Sequence, residues 1–311
     1  MNIQQFQYVL AVAENKHFET AAEKCFVTQS TLSTMISRLE DEMGIQIFDR
    51  KKKPVEVTSE GRILIEQLKM IVNEIDKLQE LTSEIKGEVK GNLSIAVLPT
   101  IAPFLLPLFL QNFASRFPDL NIVVEEHTTA AILSRIKSRE LDIGIISIPI
   151  NDADVTEHKL YDEPFVFYDT ASSGKGHVAV KKLDMSNLCL LEEGHCMRTQ
   201  IIKLCDLHKK RIHYNLNFEY KAGSIDSLLR FVKVNKATTL LPYLATIDMT
   251  DEETEHISQF ADPVPLRSIG IVVHRHFVKK KIMEMLKQDI KDQVSKLLPA
   301  TNSTGKKLNP L

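Results

Sequence analysis

The sequence predicts an α/β protein preceded by a small, mainly helical module. Three observations carry that prediction. Residues 1–58 hold short apolar-periodic segments separated by turn signals. Residues 59–86 keep apolar side chains in steps of three and four with no internal stop. From residue 92, short apolar runs alternate with helical periodicity, the pattern of a parallel sheet with right-handed crossovers. A chain of 311 residues has room for two or three domains. Its apolar fraction of 43% is ordinary for packed cores.

Composition removes several classes. There is no run of about twenty apolar residues, so no membrane span is expected. The opening Met1-Asn2-Ile3-Gln4-Gln5-Phe6-Gln7 has neither a basic n-region nor an apolar h-region, so no signal peptide is expected. Four cysteines in a chain of this size are no disulfide framework. The expected compartment is the cytoplasm, where a disulfide is transient. No cofactor and no metal site are expected.

Phe6, Val9, Leu10, Val12 and Ala13 recur at helical spacing. His17-Phe18 breaks that helix, and a short one follows, with Thr20 as its expected N-cap. Val27-Thr28 turns the chain into a third helix. Its apolar face is Leu32, Met35, Ile36 and Leu39, and Gly44 is its stop. The opposite face opens with Gln29, Ser30, Thr31, Ser33 and Thr34, with Arg38 further along. Short hydroxyl and amide groups at a helix start suit base edges and phosphates in a major groove.

Residues 45–58 then alternate around Arg50-Lys51-Lys52-Lys53 and read as a β-hairpin wing. The net charge of −2 does not advertise nucleic-acid binding. The cations of residues 1–58 are matched by nearby acids. The local block can still neutralise phosphate, or it is only a solvated turn.

These residues carry a resemblance. Phe18-Glu19-Thr20-Ala21-Ala22, Thr28-Gln29-Ser30-Thr31-Leu32-Ser33, Arg38-Leu39-Glu40, Gly44, Phe48-Asp49-Arg50 and Thr58-Ser59-Glu60-Gly61 resemble the winged helix-turn-helix of LysR-type transcriptional regulators. The resemblance implies double-stranded DNA as a partner. It implies contacts from Thr28, Gln29, Ser30, Thr31, Ser33, Thr34 and Arg38, and from Arg50, Lys51, Lys52 and Lys53 in the wing.

Over residues 59–86, Leu64, Leu68, Ile71, Ile75, Leu78, Thr82 and Ile85 form a heptad seam. The helix either packs on its own domain or pairs with a second copy, and its length and flanking charges favour pairing. The resemblance agrees, implying antiparallel dimerisation and a tetramer beyond it, with RNA polymerase as a further partner. Lys86-Gly87-Glu88-Val89-Lys90-Gly91 reads as a hinge, which closes a linker of residues 59–91.

Strands are expected at 93–98, 121–125 and 141–146, with helices at 101–116 and 129–138. A second βα set is expected over roughly 164–265, with a strand at 188–191. A return strand is expected at 267–273. The effector region thus spans 92–300, and residues 301–311 read as a disordered tail. The resemblance implies two lobes of periplasmic-binding-protein type. Ligands of such folds lie at the carboxyl ends of strands. Thr100 stands at such an end and either caps the next helix or points its hydroxyl into the cleft.

The segment around Cys196 is the most chemically specific part of the chain. His195 precedes it, Arg198 follows closely, and a helix begins there. All three features stabilise a thiolate, the reactive form of cysteine. Cys205 is a possible resolving partner. Cys25 and Cys189 are expected to be packing residues.

Gly194-His195-Cys196-Met197-Arg198, with Leu98-Pro99-Thr100 and Phe104-Leu105-Leu106-Pro107, resembles the peroxide-sensing members of the same family. That resemblance implies oxidation of Cys196 to a sulfenic acid by hydrogen peroxide. It implies Thr100, His195 and Arg198 as peroxide-binding groups, and resolution by Cys205 as a disulfide. If both cysteines lie on one helix, they are separated by about 13.5 Å of rise. A disulfide needs Cα atoms within about 7 Å, so the helix must unwind.

Departures from the family pattern are the basic run Leu207-His208-Lys209-Lys210-Arg211 and the glycine-free turn Asn235-Lys236-Ala237-Thr238-Thr239. Two other functions compete. One is a regulator binding a small metabolite in the cleft, with Cys196 incidental. The other is a thiol peroxidase, for which a DNA-reading module has no use. The expected function is regulation, not enzymatic turnover.

Overall fold

The structure is a computed structural model that describes residues 1–174, 176–183, 187–192, 196–205, 220–299 and 305–310. Its chain divides into two compact units, the first essentially Met1–Ile85 and the second beginning at Lys86.

In the first unit, α1 (Ile3–Asn15) begins with a reciprocal cap. The Asn2 side chain accepts from the Gln5 backbone, and the Gln5 side chain accepts from the Asn2 backbone. Helix α2 (Phe18–Lys24) is capped by the ring of His17, so Thr20 lies inside the first turn instead of at the cap. Helix α3 (Gln29–Met43) is capped by Thr28 and stopped by Gly44 at φ +66°. Strands β1 (Phe48–Asp49) and β2 (Glu56–Val57) pair antiparallel as the expected wing. Val9, Val12, Leu32, Ile36, Leu39, Ile47 and Phe48 form the core of this unit.

Helix α4 (Ser59–Ile85) starts where the Thr58 hydroxyl accepts from the Gly61 backbone at 2.9 Å. A side chain at Gly61 would put its Cβ 2.4 Å from the Ile47 carbonyl oxygen, which accounts for glycine there. Ile63, Leu78 and Ile85 are 71%, 64% and 78% exposed, so an apolar stripe along α4 is unburied.

The second unit is built on one nine-stranded mixed sheet among the described residues. In chain order its elements are β3 (Gly91–Val97), α5 (Ala102–Arg116), β4 (Leu120–Glu126), α6 (Thr129–Lys137), β5 (Ile143–Ile148), β6 (Val155–Asp169) and β7 (His177–Val178). There follow α7 (Cys196–Leu204), α8 (Ile225–Val234), β8 (Thr238–Pro242), α9 (Asp251–Thr254), β9 (Ile257–Phe260), β10 (Pro265–His274), α10 (Lys280–Val294) and β11 (Lys306–Lys307). Strand β3 pairs parallel with β4 and β5, as βαβ units require.

Strands β6 and β10 cross between the lobes. Strand β6 pairs with β10 over Val155–Pro164 and with β8 and β9 over Phe165–Asp169. One apolar core lies under β3, β5 and β10 with α5, α6 and α10. The other lies between the far half of β6, β8, α7 and α8.

Two expectations are corrected. Residues 188–191 form no continuous strand; they make isolated bridges, Leu188 with Thr238 and Leu191 with Ala222. Residues 305–310 are ordered, because β11 adds to β10 and Leu308 enters the second core. Burial of one leucine and a strand pairing outweigh the polar composition of that segment. The glycine-free turn is accommodated by Lys236 at φ +49°, a left-handed position that usually falls to glycine. Residues 207–211 lie outside the described residues.

Candidate functional site

Cys196 is the first residue of α7, yet its side chain packs into the core of the other lobe. It is 5% exposed. Burial pushes its thiol above the ordinary value. The Arg267 guanidinium, the Thr129 hydroxyl and the backbone N–H groups of Met197 and Cys196 pull it back. The helix start therefore acts as expected, but desolvation outweighs it. The resting group is a protonated thiol surrounded by donors able to hold its anion.

Arg267 is the cation of this site, and sequence reasoning did not find it. It lies on β10, 1% exposed, inside a run that reads as plain strand. Its Nε donates to Glu163 Oε2 at 2.8 Å. Its Nη1 donates to Thr100 Oγ1 at 3.3 Å and its Nη2 to the Thr100 carbonyl at 3.0 Å. The second Glu163 oxygen accepts from the Leu244 backbone at 2.8 Å. The only hint in the sequence is a lone arginine, Arg267, standing in an otherwise mostly apolar strand.

Helix α5 begins at Ala102 with no side-chain cap, so Thr100 is not capping it. Its hydroxyl accepts from Arg267 and keeps a proton to donate. Thr129, at the start of α6, was also missed. Its buried hydroxyl oxygen has no hydrogen-bond partner, although it lies close enough to the thiol to stabilise the thiolate.

Arg198 does not join this cluster. Its Nη1 donates to the Leu191 carbonyl at 2.8 Å, and Arg267 supplies the charge acting on Cys196 instead. His195 lies outside the described residues. Cys205 follows the last residue of α7, with its backbone N–H on the Ile201 carbonyl at 3.0 Å. It packs against the second core, and burial pushes its thiol up to about 11. All four cysteines are free. Cys25 and Cys189 pack against the cores of their respective units, and burial raises both thiols.

On the first unit, Gln29, Ser30, Thr31, Thr34 and Arg38 are exposed along one face of α3. Ser30, Thr31, Thr34 and Arg38 line a shallow concavity with Met35. The Thr28 hydroxyl is engaged as the cap, accepting from Thr31 at 3.2 Å. Lys51, Lys52 and Lys53 are exposed at the wing tip, with Lys52 in an exposed pair with Glu56.

Arg50, expected as a phosphate contact, also has partners within the first unit. Its Nη2 donates to the buried Glu40 at 2.7 Å and its Nη1 to Ser33 Oγ at 2.9 Å. Its guanidinium stands 5.1 Å from the Phe18 ring centroid. Glu40 in turn accepts from the Ile47 and Phe48 backbones. Arg50 thus ties the wing to α3, which also accounts for Ser33 being half-buried.

Comparison with known proteins bears on both parts. A family profile described as "Bacterial regulatory helix-turn-helix protein, lysR family" matches residues 3–62. Another, "LysR substrate binding domain", matches residues 86–293. The DNA-binding transcriptional dual regulator OxyR of Escherichia coli is 30% identical over 275 residues, covering 88% of this chain and 89% of that protein. A hydrogen peroxide-inducible genes activator of Haemophilus influenzae is 29% identical over 305 residues, covering 96% and 99%.

Among solved structures, a full-length OxyR variant from Pseudomonas aeruginosa superposes with TM-score 0.73 at 28% identity, covering 94% of this chain and 98% of that one. A peroxide-bound OxyR variant from Corynebacterium glutamicum superposes with TM-score 0.62 at 25% identity, covering 95% and 93%. Among the described residues, no helix is long and apolar enough to cross a membrane.

Proposed function

Because this chain belongs to the LysR family of bacterial helix-turn-helix regulators, and is thus a regulator and not an enzyme, we propose that it senses hydrogen peroxide at Cys196. One observation carries the reading. A buried thiol at a helix start has the Arg267 guanidinium and the Thr129 hydroxyl acting on it, and the same guanidinium holds the Thr100 hydroxyl. That group of donors suits the two oxygens of a peroxide.

The chemistry follows from those groups. Cys196 loses its proton and its sulfur attacks one peroxide oxygen. The O–O bond breaks, and the leaving hydroxide takes up a proton as water. Arg267 and the two threonines hold the negative charge as it moves from sulfur to oxygen. Cys196 is left as a sulfenic acid. The Cys205 thiolate then attacks that sulfur, an S–S bond forms and hydroxide leaves. Arg198 and His195 are the further groups that the family resemblance implies.

The reading makes double-stranded DNA the target of α3 and the wing lysines. A second copy covers the exposed stripe of α4, and assembly goes on to a tetramer that engages RNA polymerase. The setting is the cytoplasm, where thiols are kept reduced between signals. The deciding experiment is mass spectrometry before and after a brief, near-stoichiometric peroxide pulse. A bridge between Cys196 and Cys205 is expected; an unmodified Cys196 would overturn the reading in favour of a metabolite-responsive regulator.

A further inference from the structure

Helix α7 carries Cys196 at its first residue and is followed directly by Cys205. Wound, it holds the two Cα atoms apart by about 13 Å of rise. A disulfide tolerates about 7 Å. Whatever keeps α7 wound therefore opposes resolution of the sulfenic acid.

One side chain in the middle of α7 is placed to do this. Gln200 is fully buried. Its amide nitrogen donates to Ser147 Oγ at 3.0 Å and to the Leu308 carbonyl at 2.9 Å. Ser147 belongs to β5 in one lobe, while Leu308 sits in the core of the other. Both amide hydrogens are used, and the Oε1 is buried without a partner. Unwinding α7 swings position 200 about the helix axis and breaks both bonds in a place that water does not reach.

The Leu308 carbonyl is itself fixed. Lys306 N donates to Val264 O and Leu308 N to Leu266 O, each at 2.8 Å. Lys307 pairs with Asp162 at 3.6 Å. The strand so clasped, β10, carries Arg267 at the next position. The match to the substrate-binding family ends at residue 293, so this segment lies outside it.

We infer that residues 305–310 are a clasp that holds α7 wound through Gln200, and that this clasp sets how fast Cys205 reaches Cys196 once Cys196 is a sulfenic acid. The inference rests on the thiol-sensing reading above. Gln200 is a positioning residue: its side-chain hydrogen bonds go to Ser147 and Leu308 and not to a sulfur, and it acts on the second step only. That step joins the two sulfurs and releases water, the oxidant having already been consumed in the first.

Two full-length-based variants test it independently: Gln200→Leu, which keeps the volume and removes both donors, and a chain ending at residue 304. Each is pulsed with stoichiometric peroxide. Sulfenic acid formation is followed by dimedone labelling and the disulfide by mass spectrometry. Loss of two buried hydrogen bonds should speed bridge formation by roughly tenfold. Sulfenic acid formation should stay near the wild-type rate, a split that general loosening of the fold does not produce. Amide exchange across α7 in the thiol state should quicken in both variants. Wild-type bridging with unchanged rates in the variants overturns the clasp alone. Absence of any bridge in wild type overturns the sensing reading and the clasp with it. Should the shortened chain fail to fold, Gln200→Leu decides the matter.

Discussion

Arg267 and Glu163 meet at 2.8 Å with 1% and 0% of their side chains exposed. Such a pair adds little over a packed apolar pair, yet breaking it strands a charge in the interior. Arg267→Met should destabilise the second unit by about 3–5 kcal/mol and slow Cys196 oxidation. Adding Glu163→Leu should recover most of the stability without recovering the oxidation rate. Urea titration and stopped-flow oxidation of the single and double variants separate the two effects. Recovery of both together would show Arg267 to be only a fold element.

Thr100→Val and Thr129→Val each remove a hydroxyl and preserve volume. Each should slow Cys196 oxidation by about tenfold, the worth of one buried donor to a developing charge. Thr129→Val should leave stability unchanged or slightly raised, because its oxygen has no partner to lose. A wild-type oxidation rate in Thr129→Val would remove that residue from the pocket.

The thiols of Cys196 and Cys205 are both pushed upward by burial, that of Cys205 to about 11. Cys196 oxidation should therefore climb by roughly tenfold per pH unit across the neutral range, following the thiolate fraction. The stability consequence has a definite sign. The unfolded chain releases the Cys205 proton near 9.0 while the folded chain holds it to about 11, so stability is full below that interval and falls as pH rises through it. In Cys205→Ser, melting temperatures should fall less steeply over the same interval than in wild type. Parallel slopes would mean that Cys205 is more exposed than the fold implies.

Arg50→Ala should act through the fold of the first unit. Glu40 loses its cation and the wing its tie to α3, which lowers stability by about 1–3 kcal/mol. Lys51→Ala and Lys53→Ala should leave stability alone and each reduce the salt slope of DNA binding by about 1. Salt titrations with specific and random duplexes, alongside thermal melts, read both quantities. A stable Arg50→Ala protein with a flattened slope would restore Arg50 to the phosphate-contacting set.

The stripe on α4 predicts its own cover. Leu78→Glu combined with Ile85→Glu should shift the protein to monomer in sedimentation velocity, because both side chains are exposed in the single chain. Folding of either unit should be unaffected. An unchanged sedimentation coefficient would assign assembly to another surface.

Periodicity made the helices and the βαβ order readable. Leu32, Ile36 and Leu39, for instance, repeat at helical spacing and are all buried. The place of Cys196 at a helix start was readable because the turn before it and the periodicity after it are local. Arg267, Glu163 and Thr129 were not, because each comes from a different strand or helix and only the tertiary fold brings it near the thiol. The partners of Arg50 within the fold were hidden for the same reason. Its neighbours in sequence are lysines at a solvent tip, whereas its partners Glu40, Ser33 and Phe18 come from α3 and α2. The ordered segment at 305–310 escaped because a strand of two residues has no periodicity to detect.

The long strand that passes between the lobes has a mechanical consequence. Strand β6 is fifteen residues long and is hydrogen-bonded along both halves, to β10 over Val155–Pro164 and to β8 and β9 over Phe165–Asp169. A single strand braced along its whole length behaves as a girder, and folding the lobes together would shear its rungs. Against such a frame, a small local change in α7 would be passed on as a displacement at a fixed place instead of being absorbed.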